Sequence, residues 1–83
     1  MTNTAAAYKK ADDLANEVTA FYAASVGRGI NTNEEFSLLV EWHDAIEAAI
    51  AAALSVRDHR CDKEYCAMLD ECDMWLGHWQ EAA

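Results

Sequence analysis

No proline interrupts the 83-residue chain, and its three glycines stand at positions 27, 29 and 77. Proline and glycine are the strongest local breakers of regular backbone, so residues 30–76 contain no obvious place to stop a helix. Strand signals are missing as well. There is no Asn-Gly or Asp-Gly pair, and no sustained alternation of β-branched residues. Alanine, at 17 residues, together with leucine, glutamate and methionine, favours helix. The chain is therefore expected to be all-α. Its length allows one domain over 1–83, because halves of about 40 residues fall below the size at which a core usually forms unaided.

Three helices are expected, at about 4–26, 32–56 and 62–80. In the first, Ala7, Ala11, Leu14, Val18 and Phe21 fall on one face of a 3.6-residue period, with Ala15, Tyr22 and Ser25 beside them. Lys9 and Lys10 are placed to pair with Asp13 on the wet side, and Gly27-Arg28-Gly29 ends the helix. The second opens on Thr32-Asn-Glu-Glu35, a capping box in which Thr32 and Glu35 satisfy each other's amides. Its apolar stripe reads Phe36, Leu39, Val40, Ile46, Ile50, Ala53 and Leu54, with His43 among them. A break is placed in the polar stretch Ser55–Asp62, where Asp58 or Asp62 can cap a new helix. The alternative, one helix of about 45 residues, would be roughly 67 Å long. The third helix then carries Cys61, Tyr65, Met68 or Leu69, Cys72, Leu76 and Trp79 on one face. Short connections between antiparallel helices make a three-helix up-down-up bundle.

Alanine buries little area, so the core must lean on a few large side chains. The Ala-rich segment Ala45–Ala53 admits close approach of another helix, within the chain or from a second copy. Trp42, Trp75 and Trp79, with Met68 and Met74, exceed what so small a core requires. Trp75 and Trp79 are thus candidates for an exposed contact surface.

Charge narrows the function. Fifteen acidic residues face six basic ones, a net charge of -9. Such a chain would repel a phosphate backbone, which argues against direct nucleic-acid binding. The first 31 residues are neutral, with Lys9, Lys10 and Arg28 against Asp12, Asp13 and Glu17. All of the excess therefore lies in helices two and three. Glu34, Glu41 and Asp44 share one outer face of helix two; Asp62, Asp70 and Asp73 share one of helix three, and Glu71 projects from a different side. Such faces keep a protein in solution, and they can also steer a basic partner.

Other chemistry finds less footing. Cys61, Cys66 and Cys72 are odd in number, and their spacing along a helix exceeds the reach of a disulfide or the convergence of a zinc site. They are expected as free thiols, with no metal and no cofactor. His43 and Glu47 stand four apart, but no third group is obliged to meet them, so a packed histidine is expected rather than a catalytic one. No nucleophile arrangement or phosphate loop is present, and no enzyme activity is expected. The N-terminal residues lack the basic start and apolar run of a signal peptide. The longest charge-free runs, 18–27 and 48–56, are about half of the ~20 residues that span a bilayer. A cytoplasmic protein with no membrane contact is expected.

In size, acidity and helical reading the chain resembles the small inhibitors that bacteriophages and mobile elements direct at host machinery, including anti-CRISPR proteins and DNA mimics. The resemblance is one of composition. It implies a non-enzymatic protein whose Glu34, Glu41, Asp44, Asp62, Asp70, Glu71 and Asp73 stand where a basic, nucleic-acid-binding partner expects phosphates. The other expectation is a homodimeric structural module whose acidic surface serves solubility alone.

Overall fold

A computed structural model describes residues 3–25 and 32–82, with side chains for 4–24 and 33–77. Three helices follow one another: α1 (Asn3–Ser25), α2 (Thr32–Ser55) and α3 (His59–Ala82). This is the expected three-helix bundle, with α2 between the other two. Both α1 and α3 pack on α2, and among the described residues no Cα of α1 comes within 8 Å of one in α3. Contacts between α1 and α3 run in step along both chains, Tyr8 with Tyr65 and Tyr22 with Trp75, so these two helices are parallel. The molecule measures 42 × 22 × 17 Å, little longer than its helices.

Why α2 takes the middle is visible in its small residues. Ala45, Ala49 and Ala53, each four apart, are buried to 4, 0 and 0% exposure, and they let a neighbouring backbone come close. Leu39, Trp42 and Ile46 supply the bulk around them, meeting Ala11, Leu14 and Val18 of α1 and Tyr65 and Cys72 of α3. The expected stripe on α2 is thus corrected. Phe36, Val40 and Leu54 are exposed, whereas Trp42, Ala45 and Ala49 belong to the core. Among the described residues the faces of α1 and α3 follow expectation, except that Ala7 and Phe21 are half buried and stand outside the core cluster.

The break between α2 and α3 lies within the expected stretch Ser55–Asp62; α2 ends one residue, and α3 begins three residues, earlier than expected. It is a Schellman turn made without glycine. The Asp58 amide donates to the Ala53 carbonyl at 2.8 Å and the Arg57 amide to that of Leu54 at 3.2 Å, while Arg57 takes the left-handed φ of 58°. Asp58 then serves as the N-cap of α3, its Oδ1 accepting from the Cys61 amide at 3.1 Å. Its other oxygen, Oδ2, accepts from the Tyr8 hydroxyl at 3.3 Å, which ties the start of α1 to the turn. These bonds hold the Asp58 carboxyl below its ordinary pKa of 3.8, the backbone bond from Cys61 foremost. The expected glycine stop at 27–29 and the side chains of Thr32, His78 and Trp79 lie outside the described residues.

Candidate functional site

The acidic residues of α2 and α3 do not form one sheet of charge; three surroundings divide them. On the seam between α2 and α3, His43 is set among carboxylates from both helices. Its Nδ1 lies 3.3 Å from Oε1 of Glu47 and 3.9 Å from Oδ1 of Asp44, and its Nε2 lies 3.2 Å from Oδ1 of Asp73. Glu47 meets His43 because residues four apart in a helix are neighbours. Asp73 meets it only through the packing of α3 on α2. The imidazole is about a quarter exposed, at 28%, and the three carboxylates are each more than half exposed, so the cluster faces solvent.

Along the same flank of α3, Asp62, Asp70 and Asp73 fall within about 80° at ~100° per residue. Cys66 stands between the first two, its thiol 3.5 Å from Oδ1 of Asp62. Its pKa is raised, by partial burial first and then by Asp62 and Asp70. That upward shift keeps the thiol protonated and unreactive at neutral pH.

Glu34 and Glu41 occupy a second surrounding. They share a recess with Ser37 and Leu38 of α2, and Glu41 also faces Lys9, Lys10 and Glu17 across the edge of α1. The α1 lysines therefore offset part of this charge, and Lys9 itself is engaged with Asp13 at 2.7 Å. Glu71 belongs to the third. As its position predicts, it points away from Asp73, and with Glu64 it lines a groove between α1 and α3. Trp75 stands in that groove, 36% exposed and stacked on Tyr22 at 4.8 Å between ring centroids. Trp42, in contrast, is a core residue at 4% exposure.

Chemically, the arrangement suits electrostatic recognition better than bond making. The thiols are poor nucleophiles: burial and the adjacent Asp73 and Glu71 push Cys72 up to about 11, and the bond with Asp58 together with burial raises Cys61. All three cysteines are free. Burial and nearby carboxylates likewise raise the phenols of Tyr8, Tyr22 and Tyr65, so none is a base near neutral pH. Among the described residues, His43, Asp44 and Glu47 are the set whose donor atoms converge, all within 4.8 Å of one another, close enough for a divalent cation. No helix among the described residues is long and apolar enough to cross a membrane.

The charge on each helix and the side from which Glu71 projects were readable from spacing. The meeting of His43 with Asp73 was not, since it depends on the register between two helices. Comparison of the chain with protein-family models, curated proteins and solved structures finds no match.

Proposed function

We propose that this protein is a non-enzymatic binding protein that lays its α2–α3 acidic seam against a basic, nucleic-acid-binding surface of another protein. The observation that carries this reading is the convergence of Asp44, Glu47 and Asp73, from two helices, around a single imidazole. Asp62 and Asp70 extend the seam along α3, and Glu34 and Glu41 continue the charge on the far side of α2. Carboxylates three or four residues apart on a helix are about 5–6 Å from one another, a spacing that can stand in for backbone phosphates. An inhibitor that works in this way, as an anti-CRISPR protein or other DNA mimic of phage origin would, acts in the host cytoplasm and needs no cofactor.

Such a complex is sensitive to salt, and the protein competes with nucleic acid for its partner. The test is affinity capture on the immobilised protein, followed by elution with a DNA duplex. Support is a basic protein released by the duplex and not retained by the Asp44→Asn/Asp70→Asn/Asp73→Asn variant. Retention by that variant, or indifference to the duplex, refutes the reading.

One observation favours a second reading, a homodimeric helical module: the large apolar side chains Val40, Leu54 and Met74 are 37, 56 and 64% exposed. Light scattering over a dilution series separates the two: a dimer unaffected by the triple variant favours the module, and a monomer favours the binding protein.

A further inference from the structure

The groove between α1 and α3 lies on the opposite flank of α3 from the acidic seam, and it has a shape and charge of its own. Both helices rest on α2, yet their backbones stay apart, and two aromatic contacts bridge the gap: Tyr8 on Tyr65 at 5.2 Å and Tyr22 on Trp75 at 4.8 Å. Between them lies a cleft of about 480 Å³. Its walls have helical periodicity. From α1 they take positions i, i+3, i+4 and i+7 beginning at Ala15, and from α3 the same spacing beginning at Glu64 and continuing to Trp75. Two of the lining residues, Ala15 and Ala67, are small. A wall of two to three turns is about 11–17 Å long at 1.5 Å per residue, the length of a short helix laid alongside.

Trp42 of α2 forms part of the lining; its buried Nε1 has no hydrogen-bond partner among the described residues, whereas the Tyr22 hydroxyl lies beside the Glu35 carboxylate of α2.

Charge selects what can lie in the cleft. The charged residues lining it are Glu64 and Glu71, with no lysine or arginine among them; Glu64 also meets the exposed Arg60 one turn before it on α3 at 3.4 Å, a pair that an incoming base would share or displace. Seven residues apart on α3, they rise about 10.5 Å along the axis, two turns of helix. We propose that this groove seats a cationic amphipathic helix of a partner protein, its apolar stripe between Ala15 and Ala67 and two lysine or arginine side chains, about two turns apart, on Glu64 and Glu71. A second copy of this chain is a poor occupant: it carries net charge -9, and none of its helices bears two bases seven residues apart. The site does not depend on the acidic seam, and the two can be tested separately.

The probe is a capped, alanine-based helical peptide of about four turns, with a leucine stripe and two lysines seven residues apart beside it. Its control is the same peptide with glutamate for lysine. Isothermal titration at physiological salt is expected to show binding of the lysine peptide alone. Affinity falls about tenfold in Glu64→Gln/Glu71→Gln, as two modest ion pairs predict. It is lost in Ala67→Trp, which fills the cleft from an exposed position, and kept in Ala67→Ser, which leaves it open. The Asp44→Asn/Asp70→Asn/Asp73→Asn variant binds the peptide as the parent does. Equal binding of the glutamate peptide, undiminished binding to a folded Ala67→Trp protein, or a loss in the triple variant matching that in Glu64→Gln/Glu71→Gln overturns the proposal. So does a dimer that Ala67→Trp dissociates, because the occupant is then a second copy.

Discussion

Asp58 performs two tasks with one carboxylate, capping α3 through the Cys61 amide and accepting from the Tyr8 hydroxyl of α1, while its backbone amide closes the turn onto Ala53. Its pKa is lowered in the fold, so its contribution is fully present above the unfolded value of 3.8 and is lost as pH falls through the folded value. Asp58→Ala is expected to lower Tm by roughly 4–8 °C at neutral pH and to remove part of the acid sensitivity below pH ~4, measured by circular dichroism. The tyrosines have the opposite sign. Tyr8 is raised from 10.0 to about 12 and Tyr65 is raised further, so the folded state holds protons that the unfolded state has released. Stability is therefore complete below pH 10 and declines above it, and tyrosinate absorbance should appear together with loss of helix. Tyr65→Phe removes the bonds to Asp12 Oδ1 at 3.0 Å and the Tyr8 carbonyl at 3.4 Å and keeps the ring. It should cost about 1 kcal/mol in urea unfolding and flatten the alkaline decline.

At the scale of the elements, the α2–α3 turn and the α2 face are set by different constraints, backbone conformation in one and close packing in the other. Residues 30–76 hold no glycine, so the turn is legible in the sequence only as a polar stretch with Asp58 or Asp62 available as a cap. The chain instead places Arg57 in the left-handed region and accepts the steric cost. Arg57→Gly is expected to stabilise by about 0.5–1 kcal/mol, since glycine takes that conformation without strain but loses more freedom on folding. Gly77 is the converse. It lies within α3 with nothing within 4 Å of the position a Cβ would take, so Gly77→Ala should stabilise by up to ~1 kcal/mol. On α2 the apolar periodicity is legible in Leu39, Ile46, Ile50 and Ala53, which the core takes up, but the exposed Phe36, Val40 and Leu54 widen the expected stripe to one side, whereas the core extends to Trp42, Ala45 and Ala49 on the other. Two helices packed on one select small residues, because close backbones leave no room for large ones. Ala49, fully buried, is the sharpest check: Ala49→Leu should cost roughly 1–3 kcal/mol, measured as a lower urea midpoint.

For the whole molecule, the bundle followed from the absence of breakers and the periodicity of three segments, while the placement of charge on it required the packing. Helical spacing alone put Asp62, Asp70 and Asp73 on one side of α3 and Glu71 on another. It could not bring Asp73 to His43, separate Glu41 toward the lysines of α1, or open the cleft that holds Glu64 and Glu71. An excess of nine negative charges on so small a fold also repels itself, so added salt should raise Tm before any partner is considered. The central claim is that the α2–α3 seam takes the place of nucleic acid on a basic partner. Its most direct measurement is displacement of a fluorescently labelled DNA duplex from that partner, followed by anisotropy at several salt concentrations. The account predicts displacement that weakens as salt rises, and a loss of about tenfold in potency for the Asp44→Asn/Asp70→Asn/Asp73→Asn variant at unchanged helicity. Equal displacement by the parent and the variant, or a partner that holds duplex and protein together, would contradict it.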